Sequence, residues 1–160
     1  MVVKRIAAGA DHAGVRLKDE LVNHLRAGGH EVIDCGTHGP DRVDYPDYGE
    51  AVARKVAAGE VEMGLCVCGT GIGIAMAANK VPGVRAATVH DVTSARLTRA
   101  HNDANVICLG ERLIGPELAR EALETFLDTA FEEGRHAPRV AKINALLPGP
   151  KGTPESEGEG

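Results

Sequence analysis

A cysteine followed by a glycine-rich turn is the feature of the sequence most suited to chemistry. Cys68 ends an apolar run and leads into the turn Gly69-Thr70-Gly71-Ile72-Gly73. Backbone N–H groups in such a turn, at the start of a helix, can stabilise an oxyanion and favour the thiolate form of a nearby cysteine. The segment therefore predicts a thiolate base beside an oxyanion hole. A buried structural cysteine is the alternative, because cysteine is among the most often buried residues.

Two further segments carry side chains that can transfer protons. Asp11 and His12 set a carboxylate beside an imidazole where a helix is predicted to begin, and His101 is followed by Asn102 and Asp103 where another helix is predicted to end. Histidine titrates near neutral pH, so His101 is a candidate for proton transfer. The structural alternatives are that Asp11 caps its helix and that His101 favours the dipole of a helix C-terminus.

Cationic residues are concentrated near the end of the sequence. Arg135 and Arg139 are four residues apart in Arg135-His136-Ala137-Pro138-Arg139, so a helix would place both guanidinium groups on one face. Together with Arg112 they form the most concentrated positive patch of an acidic chain, which suits a phosphate or a carboxylate. A solvated surface is the alternative. The other cysteines, Cys35, Cys66 and Cys108, are predicted to be packing residues, and the spacing of Cys and His predicts no metal site.

Apolar runs alternate with segments of helical period along the whole chain. Strands are predicted at 2–8, 31–35, 62–68, 84–89 and 105–109, with helices at about 13–27, 48–58, 72–80, 91–100, 116–130 and 137–147. Five β-α repeats predict a three-layer α/β/α Rossmann-like sandwich with a five-stranded parallel sheet. The last helix has no strand to follow it and is expected to pack on a neighbouring subunit. A single domain at 1–147 and a disordered tail at 148–160 are expected.

The topology indicates where these side chains act. In open parallel sheets ligands bind beyond the carboxyl ends of strands, where successive crossovers leave in opposite directions. The loops after the first and third strands are therefore the first candidates for the site. The loop from Gly36 to Tyr45 is also long enough to be functional.

Composition excludes several classes of partner. The chain has 160 residues and a formal net charge of −5, so attraction to nucleic acid or to an anionic membrane is not expected. No apolar run approaches the roughly 20 residues that span a bilayer. A cytoplasmic protein with reduced thiols is expected.

Several separate motifs, in consistent order, resemble the type B ribose-5-phosphate isomerases and the related allose- and galactose-6-phosphate isomerases. The motifs are GADHAG, VDYPDYG, VCGTGIGIAMAANKVPGVRAA, RAHNDANVICLGERLIG and EEGRHAPRV, between about Val3 and Ile143. The resemblance implies interconversion of ribose 5-phosphate and ribulose 5-phosphate through an enediolate, without metal or organic cofactor. It also implies a homodimer with shared active sites, or a tetramer.

The resemblance implies a role for each candidate residue. The base falls on Cys68, the oxyanion hole on the amides from Gly69 through Gly71 to Gly73, with Thr70 nearby, and ring opening on His101. The substrate hydroxyl contacts fall on Asp11, His12, Tyr45 and Asn102, and the phosphate contacts on Arg112, Arg135, His136 and Arg139. One branch of the family uses a glutamate shortly after the glycine turn as its base. Here Ile74 and Ala75 follow the turn, which indicates the cysteine branch.

Three alternative functions stay open. A six-carbon sugar phosphate would need the same catalytic residues as a five-carbon one. A dinucleotide-binding module would use the glycine turn and Asp91, but Ile74 stands where its third glycine belongs. A noncatalytic sugar-phosphate sensor would need Arg135 and Arg139 but neither Cys68 nor His101.

Overall fold

A computed structural model describes residues 2–147, and the predicted disordered tail at 148–160 lies outside the described residues. The strands are β1 Arg5–Ala10, β2 Glu31–Asp34, β3 Met63–Cys68, β4 Ala86–Thr88 and β5 Val106–Gly110. The helices are α1 Val15–Ala27, α2 Tyr45–Ala57, α3 Ile72–Ala78, α4 Val92–Asn102, α5 Pro116–Asp128 and α6 Ala137–Asn144, with a 3-10 turn at Gly134–His136.

All five strands pair in parallel, in the order β2-β1-β3-β5-β4. This confirms the predicted five-stranded parallel sheet between helical layers. The crossovers change direction between β1 and β3, which are neighbours in the sheet, so the predicted switch point lies between the loops that follow these two strands.

Alternation along the strands explains why both faces of the sheet need a helical layer. Ile6, Ala8 and Ala10 of β1 face one apolar cluster, in which α1 and α5 also pack. Ala7 of the same strand faces the other cluster, with α2 and α3. Small residues fill much of this core because the chain has only two Phe, two Tyr and no Trp.

Two predicted boundaries are wrong for identifiable reasons. β1 begins at Arg5 rather than at Val2, since Val2 and Val3 are exposed and pair with no strand in the described sheet. α2 begins at Tyr45 rather than near Tyr48, because Pro46 is well suited to the first turn of a helix. Tyr45 therefore belongs to a helix rather than to a loop. Among residues 2–147 there is no helix long and apolar enough to cross a membrane.

Candidate active site

Cys68 lies at the carboxyl edge of the sheet with its sulfur directed into the glycine turn. It is the last residue of β3 and is only 4% exposed. The Gly71 N–H donates a hydrogen bond to Sγ at 3.1 Å. Gly71 has φ 74°, and a Cβ there would lie 2.8 Å from the Leu109 carbonyl carbon, so only glycine permits this turn. The turn thus places a thiol against a backbone amide.

Two amides of the turn have intramolecular partners. The Gly71 N–H donates to Cys68 Sγ, and the Ile72 N–H donates to Thr70 Oγ1 at 3.2 Å. The turn is braced from the next strand by Thr88, whose hydroxyl donates to the Gly71 carbonyl at 2.7 Å. Oxyanion binding by the amides of Gly69 to Gly73 stays a prediction.

Tyr45 and Arg112 flank the turn on its two sides. A Cβ added to Gly73 would lie 2.6 Å from Cζ of Tyr45, so the tyrosine ring packs directly on the glycine backbone. A Cβ added to Gly69 would lie 3.2 Å from Nη1 of Arg112. Glycine at both positions lets a phenol and a guanidinium group approach the thiol turn closely. A phenol and a guanidinium group therefore lie against the turn that follows Cys68.

Asp11 and His12 follow β1, the strand next to β3, and lie at the same edge of the sheet. Asp11 is 6% exposed, and its Oδ1 accepts the N–H groups of Ala13 at 3.0 Å and Gly14 at 3.1 Å. The carboxylate thus shapes the turn before α1, but it does not cap the helix as the structural alternative expected, because the N-cap is Gly14. His12 Nδ1 accepts the Val43 N–H at 3.3 Å, so a neutral His12 ring carries its proton on Nε2 and can donate there.

Lys18 is a fully buried cation that the sequence analysis missed. Its Nζ donates to both carboxylate oxygens of Asp34 at 2.8 Å and to the Thr37 carbonyl at 2.9 Å. Gly36 and Thr37 in turn exchange backbone hydrogen bonds with Ala10, directly before Asp11. Lys18 therefore fastens the β2 loop to the residues that precede Asp11. A signal existed, because position 18 falls on the apolar face of α1.

We expect Lys18→Met to lower the free energy of unfolding by about 3–5 kcal/mol, because Asp34 then loses its buried partner. Urea denaturation measures the loss. The matched control is Lys55→Met, which removes an exposed pair with Glu60 at 3.1 Å and should cost at most about 1 kcal/mol. Equal losses in the two variants would contradict the bracing role of Lys18.

A second cluster forms around His101, near the end of α4. The rings of His101 and His136 stack with centroids 4.4 Å apart and an interplanar angle of 14°. His136 is 6% exposed, and burial, together with the positive charge of Arg135, lowers its pKa. Arg135 and Arg139 are exposed beside it, and Asn102 is exposed next to His101. Imidazole and guanidinium groups are thus concentrated at one place.

The two clusters lie at opposite edges of the sheet. Cys68 pairs with Gly110, the last residue of β5, at the carboxyl edge. α4 carries the chain back by about 15 Å, at 1.5 Å per residue. Asp103, directly after α4, lies 3.3 Å from Arg85, which precedes β4 at the amino edge. Within one chain, His101 therefore cannot reach a substrate held at Cys68.

This separation divides the predicted cationic patch. Arg112 lies beside the thiol turn, whereas Arg135 and Arg139 lie beside His101. The structure thus brings together Cys68, Thr70, Asp11, His12, Tyr45 and Arg112, with the glycine turn, at one edge. At the other edge it brings together His101, Asn102, Arg135, His136 and Arg139.

The remaining cysteines pack as predicted. Cys66 and Cys108 are partners in register on β3 and β5 and are fully buried. Hydrogen bonding to Cys66 and burial raise the pKa of the Cys108 thiol well above its usual value, and burial raises that of Cys35. At neutral pH the thiols of Cys35 and Cys108 therefore stay protonated and do not supply a thiolate base. Cys68 is the cysteine that ends its strand and accepts a hydrogen bond from the glycine turn.

Comparisons with known proteins agree with one another. The family model for "Ribose/Galactose Isomerase" matches residues 6–143. The chain is 49% identical over 144 residues to ribose-5-phosphate isomerase B of Escherichia coli strain K12, covering 90% of this chain and 97% of the relative. It is 40% identical over 148 residues to galactose-6-phosphate isomerase subunit LacB of Clostridium acetobutylicum, covering 92% and 86%. The solved structure of Clostridium thermocellum ribose-5-phosphate isomerase B superposes with a TM-score of 0.88 at 51% identity, covering 89% of this chain and 96% of that one.

Proposed function

Since the chain belongs to the ribose/galactose isomerase family, which confirms the resemblance of its motifs, we propose that it interconverts ribose 5-phosphate and ribulose 5-phosphate at a site completed by two subunits. The identity to ribose-5-phosphate isomerase B relatives supports the five-carbon substrate. The observation that carries the shared site is the location of Cys68 and His101 at opposite edges of one sheet. A second chain that docks its His101 cluster onto the Cys68 edge would unite them.

The chemistry follows from what an aldose requires. His101 of one chain moves a proton as the furanose ring opens, giving the free aldehyde. Cys68 of the other chain removes the C2 proton, and backbone amides of the turn hold the charge that develops on O1. The proton then returns to C1 while the C2 hydroxyl proton passes to O1, which yields the ketose. Only proton transfers are needed, so the reaction requires no redox cofactor.

The hydroxyl groups of the sugar would be held at the carboxyl edge. His12 presents an N–H donor there when its Nδ1 accepts from Val43, and Tyr45 presents its phenol beside Gly73. Asn102 would contribute from the second chain. Such contacts orient the substrate so that its C2 proton faces Cys68.

The phosphate would lie at the far end of the sugar from the reacting carbons. Arg135, His136 and Arg139 of the second chain, with Arg112 of the first, supply the positive charge that it needs. Because these groups do not touch C1 or C2, they contribute binding energy and orientation rather than chemistry.

We expect Arg139→Ala to raise KM for ribose 5-phosphate by about ten-fold to a hundred-fold with a smaller effect on kcat, because one charge-assisted contact is lost. Steady-state kinetics measures the effects on KM and on kcat separately. Arg54→Ala removes a guanidinium group of an exposed pair with Glu50 and should leave both parameters near their original values. An effect of Arg139→Ala on kcat alone would contradict the phosphate role.

A comparison of kcat/KM for ribose 5-phosphate and allose 6-phosphate tests the substrate. We expect preference for the five-carbon sugar. Preference for allose 6-phosphate would support the six-carbon alternative, for which the galactose-6-phosphate relative is the precedent. Turnover of neither sugar, with thermal stabilisation by ribose 5-phosphate, would instead indicate a sensor, and stabilisation by NADH a dinucleotide-binding module.

The compartment and assembly follow from the same chemistry. A free thiol base requires a reducing environment, which supports the cytoplasm as the place of action. Two clusters on each chain make two equivalent sites in a symmetric dimer, so a dimer is the smallest assembly that uses every proposed residue.

A further inference from the structure

His101, Glu132 and His136 bring three metal-binding side chains together at the amino edge of the sheet. One ligand atom from each lies within 4.8 Å of the other two. Glu132 follows α5, and its backbone N–H donates to the Ala100 carbonyl at 3.0 Å, which fixes it beside the end of α4. Glu132 and His136 are four residues apart, but His101 precedes Glu132 by 31 residues, so the spacing along the chain did not predict a metal site.

His136 contributes a buried nitrogen without a hydrogen-bond partner to this cluster. Its Nε2 is buried and has no hydrogen-bond partner among residues 2–147, and only 6% of the residue is exposed. The nearest carboxylate oxygen, Oε2 of Glu132, lies 3.7 Å away, too far for a hydrogen bond. A buried nitrogen without a partner usually marks a missing ligand, ion or water. The unpaired atom thus lies beside the Glu132 carboxylate of the cluster.

We propose that His101, Glu132 and His136 form a binding site for Zn²⁺, or a similar borderline divalent metal, that inhibits the enzyme. Two imidazole nitrogens and one carboxylate oxygen, with water in the fourth position, are a donor set that tetrahedral zinc accepts. Binding requires the two stacked rings to open towards Glu132 and the donor atoms to approach by about 1 Å. Glu132 is exposed and follows the end of α5, so its side chain has room to move.

Inhibition follows because the metal would bind a nitrogen of His101 that the proposed mechanism needs. A nitrogen of His101 bound to a metal cannot move a proton during ring opening. Zn²⁺ would therefore compete with the cyclic sugar. This consequence rests on the proposed function, whereas the binding of the metal does not.

Titration calorimetry of the full-length protein with Zn²⁺ tests the site. We expect Glu132→Gln to weaken binding by at least about ten-fold, because a charged ligand is lost. Glu124→Gln is the matched control, since Glu124 lies 2.7 Å from His24 but belongs to no cluster of three metal-binding side chains among residues 2–147. That variant should bind Zn²⁺ as tightly as the original protein. Cys68→Ala should also retain binding, which excludes the proposed thiol base as the ligand.

Equal affinity in the Glu132 and Glu124 variants would overturn the site, and so would loss of binding in Cys68→Ala. Assays of ribose 5-phosphate turnover separate the two proposals. Glu132-dependent Zn²⁺ binding by a chain that lacks isomerase activity would support the metal site and refute the proposed function. Active enzyme whose turnover is insensitive to bound Zn²⁺ would overturn the inhibitory role.

Discussion

Cys68→Ala is expected to lower kcat/KM for ribose 5-phosphate by at least about a thousand-fold, because general-base catalysis contributes on this scale and alanine cannot take up a proton. The fold should survive, since alanine fits the small site at the end of β3. Exchange of the C2 proton of the sugar with solvent deuterium is the direct measurement, and it should fall in parallel with turnover.

Cys66→Ala is the matched control for this experiment. Cys66 lies two residues earlier on the same strand, on the same side of the sheet, and is fully buried against Cys108. Its removal should leave proton exchange nearly unchanged. Equal losses in the two variants, or loss in neither, would contradict the assignment of Cys68 as the base.

His101→Asn is expected to lower kcat/KM for ribose 5-phosphate by about a hundred-fold to ten-thousand-fold, because the variant cannot assist ring opening. Forward and reverse kinetics are tied by the reaction equilibrium and cannot isolate this step. An analogue that lacks the C4 hydroxyl cannot close the furanose ring and bypasses it. C2 proton exchange in the analogue should be nearly normal in the variant.

The control here is His24→Asn, which alters a histidine of α1 paired with Glu124 of α5. It should be as active as the original protein on both sugars. If His101→Asn slowed exchange in the open-chain analogue as much as in ribose 5-phosphate, His101 would act in the isomerisation step rather than in ring opening.

The fold was accessible from the sequence because each strand is a short apolar run followed by a helix of clear period. The residues at which the strands and helices begin were harder to predict. Val2 and Val3 have strand propensity, yet no partner strand extends to them. Strand pairing depends on the whole sheet and not only on the apolar segment that forms the strand. Pro46 carried a helix-start signal that would have placed Tyr45 correctly.

Part of the candidate site could also be predicted from the sequence. Cys68 and Asp11 could be placed at one edge because parallel strands end together there. The opposite location of His101 had a signal too, since a helix that follows a parallel strand returns to the amino edge. Burial of Lys18 and the stacking of His101 on His136 depend on packing between distant segments, which no local pattern encodes.

Mixing Cys68→Ala chains with His101→Asn chains tests the central claim, that one active site takes these residues from two subunits. The chains are unfolded and refolded together, and heterodimers are counted by native mass spectrometry. In each heterodimer one site receives Cys68 from one chain and His101 from the other, so an equal mixture should regain about a quarter of the original activity. Cys68→Ala mixed with Arg112→Ala should gain no activity beyond the average of the two unmixed variants, because both residues lie at the same edge of one chain. Absence of recovery in the first mixture, with heterodimers present, would contradict the shared site.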